Sequence, residues 1–207
     1  MSFLICHVVD FSPFVRRRFC VGEALRQIEH AIKVAQYKES NMSNMSEQSP
    51  FKALMEAQAD FTRDPESWPP NVQAAHRKPS AASDYLGLEL LGVSKEAGMA
   101  EMMFHATDRL CNKWGGVQGG MVAAMLDDAM AFAIGLNLDW GQISPTLEIK
   151  VSMMSPVRPG PVYALGRVLR RGRSVGFVDG ELRDSEGTLL ATGSTTANFV
   201  TLKKKEK

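Results

Sequence analysis

One apolar run constrains the fold more than any other feature, because two adjacent aspartates stand inside it: "NKWGGVQGGMVAAMLDDAM", residues 112–130. From Gly120 to Leu136 nearly every other position is apolar, and many are alanine. A helix that is apolar on all sides is a buried helix. We therefore predict a central helix that other elements cover, with alanines that allow those elements to approach closely.

Asp127 and Asp128 are costly to bury in such a helix, because an unpaired buried carboxylate is strongly unfavourable or takes up a proton. Adjacent helix positions point about 100° apart, so the two carboxylates face different surroundings. A bond to backbone N–H groups or to an arginine explains one of them in structural terms. For the other we favour a functional role, since a carboxylate in an apolar site is a common nucleophile or general base.

Four glycines precede the helix: Gly115, Gly116, Gly119 and Gly120. The unpaired N–H groups at a helix N-terminus stabilise developing negative charge, and glycine lets a ligand approach that backbone closely. A flexible connector is the alternative interpretation. The buried acid that follows favours the functional one.

Strand-like segments surround this helix, two before it and four after it, with a Lys-Glu-Ala-Gly turn between the first two. The breaks carry Gly, Pro and Ser, which turns require. Short turns favour antiparallel pairing. The sequence therefore predicts an α+β domain over residues 85–201, in which one antiparallel sheet wraps around the long helix.

The rest of the chain divides into three predicted parts. Residues 1–45 are an N-terminal helical extension, although Met42 and Met45 leave open that the start is mis-called and the true start lies here. Residues 46–84 are a short helix, with Ser49 as its N-cap and Pro50 at its first position, followed by an irregular proline-rich linker. Residues 202–207 are a charged tail.

Composition argues against several classes of protein. Lys plus Arg is 24 and Asp plus Glu is 23, so the net charge of +1 offers no attraction for nucleic acid or an anionic membrane. The three cysteines are scattered, which indicates neither a disulfide framework nor a zinc site. We expect a cytoplasmic protein without a metal, a nucleic-acid partner or a membrane partner.

The motif Asn-x-x-Gly-x-x-Gln-Gly-Gly followed by Asp, residues 112–127, resembles the signature of PaaI-like hotdog-fold acyl-CoA thioesterases of the 4-hydroxybenzoyl-CoA thioesterase superfamily. The resemblance continues through "SPTLEIKVSMMSPVRPG" and the last strands. It implies a hotdog fold and hydrolysis of an acyl-CoA to free acid and CoA. It also implies no cofactor, since coenzyme A is part of the substrate, and self-association as a homodimer or as a dimer of dimers, a homotetramer.

Carried over residue by residue, the resemblance implies catalytic roles. Asp127 matches the nucleophile or general base, and Gly119 matches the backbone N–H that polarises the thioester carbonyl. Asn112 and Thr146 match side chains near the carbonyl and the attacking water. Gln118 stands where the family usually has His, and its amide can donate a hydrogen bond but cannot take up a proton. A non-catalytic acyl-CoA-binding or regulatory hotdog protein therefore stays as the alternative function.

Substrate-binding residues are also expected. They are Gly120 at the helix start and the basic turn formed by Arg171, Gly172, Arg173 and Ser174. Arginine suits the phosphates of coenzyme A, although a solvated turn explains the charges equally well. The methionines of "VSMMS" suit either an acyl pocket or plain core. A hotdog hydratase is disfavoured because His105 lies on a different segment from the helix.

Helix geometry bears on how such a site is assembled. Gly120 and Asp127 share one helix face but lie about 10 Å apart along the axis. The attacking group and the oxyanion donor must each come within about 3 Å of one substrate group. Two antiparallel helices side by side would bring Asp127 of one subunit to Gly119 of the other. We therefore predict a site shared between subunits.

Overall fold

The computed structural model describes residues 44–202. The predicted helix of the N-terminal extension, the alternative start at Met42 and the charged tail from residue 203 lie outside the described residues. The division of the chain at residues 45, 84 and 201 stays a prediction.

A six-stranded sheet forms the main layer, and its strand order is β1-β2-β5-β6-β7-β4. Each neighbouring pair is antiparallel. The two strands before the helix and the four after it are therefore confirmed. The strands are β1 Leu88–Ser94, β2 Met99–Ala106, β4 Thr146–Met153, β5 Gly160–Arg171, β6 Val175–Arg183 and β7 Leu189–Asn198. A two-stranded pair that was not predicted joins β3 Gln142–Ile143 to β8 Val200–Thr201.

The central helix, α4 at Gly119–Gly135, packs against this sheet. Ala129 and Ala133 are fully buried at the contact. Gly166 on β5 makes the close approach feasible, because a Cβ atom there would lie 2.0 Å from the carbonyl oxygen of Ala129. This arrangement confirms the α+β class and the hotdog fold. Among the described residues, no helix has the length and apolar character needed to span a membrane.

Between residue 48 and the sheet lie three short α-helices: α1 Lys52–Glu56, α2 Pro70–Arg77 and α3 Ala81–Tyr85. The predicted short helix exists, but it begins at Lys52 rather than Pro50, because the Ser49 hydroxyl accepts the N–H of Phe51 in a turn before it. The prediction of an irregular linker is wrong for α2. Pro70 stands at the first helical position, which the fixed φ of proline suits, and Val72 is buried, so packing stabilises a helix that proline content alone disfavours.

The segment before β1 is fastened to the sheet through one buried acid, Glu101 on β2. Its side chain has no exposed area, and it accepts hydrogen bonds from the Ser49 hydroxyl and from Arg63 at 3.1 Å. Burial raises the pKa of Glu101, while Ser49 and Arg63 lower it. A buried charge needs such partners. The segment over residues 49–63 is therefore an integral part of the folded domain.

The two edges of the sheet differ. The outer edge of β1 is covered, because Thr62 and Val93 exchange both backbone hydrogen bonds at 2.9 and 3.0 Å. The outer edge of β4 pairs with no strand within residues 44–202. Leu147 on this edge is 62% exposed. An open edge with an exposed apolar residue is a ready template for pairing with another chain.

Candidate active site

Asp127 lies on α4 and is half-buried. Its Oδ1 atom accepts a hydrogen bond of 2.8 Å from the hydroxyl of Thr146, the first residue of β4. No other hydrogen bond from residues 44–202 reaches this carboxylate. The contact places two of the sequence-predicted residues together and orients the carboxylate, with one oxygen left for water or a substrate atom.

Asp128 faces a different neighbour, the short helix α3. The pKa of Asp128 is raised from 3.8 to about 6, chiefly by burial, which the Ser83 hydroxyl opposes and the negative charge of Asp127 reinforces. Its Oδ2 atom is buried and has no hydrogen-bond partner among the described residues. The expected backbone or arginine partner of Asp128 is therefore not found there.

This environment determines how Asp128→Asn should change the stability of the fold. The pKa of the carboxyl is higher in the folded state, so its contribution to stability is complete below about pH 4 and is lost as the pH rises through about 6. The neutral amide escapes that loss. We expect the variant to gain up to about 3 kcal/mol in free energy of unfolding at pH 8 relative to wild type, and little at pH 4. Urea unfolding at both pH values measures the difference, and a variant less stable than wild type at pH 8 would contradict it.

The loop before α4 forms the other half of the predicted site. Asn112 accepts the N–H of Trp114 through Oδ1 at 2.9 Å, and its own N–H bonds the carbonyl oxygen of Gly116 at 2.8 Å. Gln118 is the N-cap residue, and its exposed side chain makes no cap bond. The N–H groups of Gly119 and Gly120 have no acceptor among residues 44–202, so the helix start presents two donors.

A cavity of about 350 Å³ opens at this helix start. Asn112 and Gly119 both line it, together with Val122. Met153, at the end of β4, closes over Gly119, since its methyl carbon and sulfur lie 3.0 and 3.3 Å from the position of a Cβ atom on that glycine. Sequence patterns left Met153 open between pocket and core. The contact between Met153 and Gly119 forms because the end of β4 lies next to the start of α4. Local sequence patterns do not predict this long-range contact.

Within one chain the two halves of the site are apart. Gly119 and Asp127 are eight residues apart on one helix, about 12 Å along its axis. Thr146 and Met153 stand at opposite ends of β4, about 23 Å apart. The structure thus brings Asp127 to Thr146 and Asn112 to Gly119, but it does not bring the two pairs together in a single chain.

The basic turn connects β5 and β6, and its arginines point in different directions. Arg171, Gly176, Ala197 and Thr146 are paired in one row across β5, β6, β7 and β4. Paired residues share a face of the sheet, and this row faces α4, since a Cβ atom on Gly176 would touch Ile134 of that helix. Arg171 also stacks on the ring of Phe199 at 5.1 Å.

Arg170 pairs instead with Phe177 on the opposite face of the sheet, away from α4. The backbone of Arg171 is three strand spacings, about 14 Å, from that of Thr146. Arg173 and Ser174 are exposed at the tip of the turn, where Gly172 donates its N–H to Val175. Of the two strand-end arginines, Arg171 thus lies on the sheet face that carries Thr146 and packs against α4, the helix of Asp127.

Comparisons with known proteins bear on this arrangement. A family model described as the thioesterase superfamily matches residues 115–191. A phenylacetic acid degradation-related protein from Ralstonia eutropha JMP134 is 36% identical, with 62% of this chain and 98% of that chain covered and a TM-score of 0.58.

Two more distant solved structures share the fold. A thioesterase from Haemophilus influenzae is 22% identical, with 66% of this chain and 94% of that chain covered and a TM-score of 0.58. The PaaI protein from the phenylacetic acid degradation operon of E. coli is 19% identical, with 63% of this chain and 91% of that chain covered and a TM-score of 0.57.

Proposed function

The chain belongs to the thioesterase superfamily and is a thioester hydrolase, and on that premise we propose that it hydrolyses an acyl-CoA to the free acid and CoA. The observation that supports this most is the half-buried carboxylate of Asp127, held by Thr146 beside an open strand edge. The reducing cytoplasm is the compartment that its scattered cysteines suit.

Two routes of attack are consistent with a carboxylate. As general base, Asp127 takes a proton from water, and the resulting hydroxide attacks the thioester carbonyl carbon. The C–S bond breaks, and the departing CoA thiolate receives the proton. As nucleophile, a carboxylate oxygen of Asp127 bonds to the carbonyl carbon, CoA leaves, and water hydrolyses the anhydride. In either route the N–H of Gly119 stabilises the charge on the carbonyl oxygen, and Gln118 and Asn112 supply only hydrogen bonds.

Pairing of two β4 edges would complete the site. If two β4 strands pair antiparallel about a two-fold axis through the middle of β4, the first residue of one strand lies opposite the last residue of the other. The partner's Thr146 then lies beside Met153, to within about one residue rise of 3.4 Å along the strand. The partner's Asp127 then approaches Gly119, which lines the cavity at the helix start. The open edge of β4 and the separation of the two halves of the site thus favour a homodimer with two shared sites. A dimer of dimers, a homotetramer, would contain this homodimer twice.

Mixing of damaged subunits tests the shared site. Asp127→Asn subunits and Asn112→Ala subunits are each expected to be nearly inactive as homodimers. After subunit exchange, one site of each mixed dimer carries both lesions and the other carries neither. Random mixing makes half of the dimers mixed, so about a quarter of the wild-type activity should return. No recovery, with exchange confirmed by mass spectrometry, would mean that each chain builds its own site.

We expect the phosphates of CoA to bind Arg171, which lies on the same sheet face as Thr146, the hydrogen-bond partner of Asp127. Arg171→Gln removes a charge-assisted hydrogen bond that substrate and transition state share, so KM should rise about ten- to a hundredfold with kcat little changed. Arg170→Gln is the matched control, because Arg170 faces the opposite side of the sheet, and its KM should stay within twofold of wild type. Steady-state kinetics on a saturated acyl-CoA measures both. Equal effects of the two variants would place the phosphates elsewhere.

A panel of acyl-CoA substrates tests the proposed reaction as a whole. Free CoA is read with a thiol-reactive dye, across short, medium, long and phenylacetyl chains. Release of CoA that depends on enzyme concentration and is lost in Asp127→Asn supports acyl-CoA hydrolysis. The presence of Gln118 favours one second candidate, a non-catalytic acyl-CoA-binding protein. Tight binding of acyl-CoA without any thiol release would support that candidate.

A further inference from the structure

The open edge of β4 carries two opposite charges on one face of the sheet. Glu148 and Lys150 pair with Thr196 and Ser194 of β7, which alternate with Ala197. The row of Ala197 faces α4, so both charges project from the opposite face. Both side chains are exposed, and no ion pair or side-chain hydrogen bond within residues 44–202 engages either of them. The edge therefore offers a second chain one anion and one cation, two residues apart.

The alternation of faces along β4 restricts how two copies of this edge can pair. Residues that lie opposite each other in an antiparallel pair share a face of the sheet. Residues 148–153 alternate regularly between the two faces, so a shift of one residue would set the outer face of one chain against the inner face of the other. The two-fold axis must therefore pass through a residue. Near the middle of the strand, that residue is either Ile149 or Lys150.

The charges distinguish these two registers. With the axis at Ile149, Glu148 of each chain lies opposite the partner's Lys150, and symmetry makes two such pairs. With the axis at Lys150, the two lysines lie opposite each other. Opposite charges directly across a strand pair are stabilising, and like charges are destabilising. The inner face does not decide, because Ile149 meets either the partner's Ile149 or the partner's Val151, and both are apolar. The charges thus favour the axis at Ile149.

We propose that pairing of Glu148 with the partner's Lys150 fixes the register in which two copies of this chain join their β4 edges. The proposal rests on the homodimer with shared sites proposed above. The other register displaces the partner by two residue rises, about 7 Å along the strand. An attacking group and an oxyanion donor must each come within about 3 Å of the substrate. The two charges therefore position the partner's Asp127 relative to Gly119 without contacting the substrate themselves.

Disulfide trapping measures the register directly. Full-length Glu148→Cys subunits are mixed with Lys150→Cys subunits and oxidised after subunit exchange. With the axis at Ile149, the two new cysteines lie opposite each other, with Cα atoms about 4.5–5.5 Å apart, which suits a disulfide. Mass spectrometry should find a covalent dimer with one subunit of each variant. Lys150→Cys alone should not crosslink, because its cysteines then lie on a diagonal, about 7–8 Å apart. Wild type is the control for disulfides of its three natural cysteines.

Charge reversal tests whether the two ion pairs stabilise the dimer. Lys150→Glu sets acidic side chains opposite each other twice, so the dimer dissociation constant should rise about tenfold to a hundredfold. Adding Glu148→Lys to this variant restores two pairs of opposite charge, and the constant should return to within about threefold of wild type. Arg167→Glu is the matched control, because Arg167 is exposed on the same face but lies on β5, three strands from β4. Its constant should stay within about threefold of wild type. Sedimentation over a dilution series measures all four proteins.

Neither measurement depends on the reaction. If mixed covalent dimers form but no acyl-CoA is hydrolysed, the proposed reaction is wrong and the register stands. If acyl-CoA is hydrolysed but Lys150→Cys crosslinks by itself, the register is wrong and the reaction stands. A dissociation constant that Lys150→Glu leaves unchanged, or that the added Glu148→Lys does not restore, would also overturn the role of the two charges.

Discussion

Asp127→Asn is expected to lower kcat at least about a hundredfold, as loss of a general base or nucleophile does. The amide keeps the shape of the carboxylate and can still accept the hydrogen bond from Thr146, so the fold should be preserved. What it loses is the negative charge and the ability to take up a proton. Steady-state hydrolysis, together with calorimetric binding of the same acyl-CoA, separates loss of chemistry from loss of affinity, and affinity should change by less than about threefold.

Asp128→Asn is the matched control, since it makes the same chemical change one residue away. Its side chain is turned about 100° from Asp127 toward Ser83, so kcat should stay within a few-fold of wild type. If Asp127→Asn kept a tenth or more of wild-type turnover, or if Asp128→Asn lost as much, the assignment of the chemistry to Asp127 would be wrong.

The sequence predicts the parts of this fold that depend on local pattern. An apolar run with no polar face indicates a buried helix, and α4 is that helix. Gly, Pro and Ser at the breaks separate the strand-like segments, and these segments form the six-stranded sheet. The resemblance to PaaI-like thioesterases depends mainly on the motif from Asn112 to Asp127. This motif is recognisable because a loop, a helix start and an acid lie within sixteen consecutive residues.

Long-range contacts account for what the sequence left undecided. The hydroxyl that lowers the pKa of Asp128 belongs to Ser83, 45 residues earlier in the chain, so no spacing could identify it. Arg170 and Arg171 are adjacent and chemically identical, and only the register of β5 with β6 separates their faces. The open edge of β4 and the covered edge of β1 depend on strand order, which local periodicity does not encode.

Glu101 is a further example, and it leads to a large expected loss of stability. Nothing in "AGMAEMMFHA" distinguishes this glutamate from an exposed one, yet its side chain is completely buried on β2. Its partners Ser49 and Arg63 lie 52 and 38 residues earlier in the chain. Removal of one partner of a buried ion pair leaves the other charge without compensation, which typically costs about 3–5 kcal/mol.

Arg63→Met is therefore expected to lower the free energy of unfolding by about 3 kcal/mol at pH 7.5, the lower end of that range, because 27% of the Arg63 side chain is exposed. The double variant Arg63→Met with Glu101→Leu removes both charges and should lie within about 1 kcal/mol of wild type. Arg77→Met is the control at the exposed Arg77–Glu66 pair, where the loss should stay below about 1 kcal/mol. Urea unfolding of the four proteins gives the comparison. The loss in free energy of unfolding caused by Arg63→Met should also shrink as the pH falls. Burial already raises the pKa of Glu101, and loss of Arg63 raises it further. The carboxyl therefore takes up a proton more readily in the folded state, which removes the uncompensated charge. A loss no greater than that of Arg77→Met would show that Glu101 does not depend on Arg63.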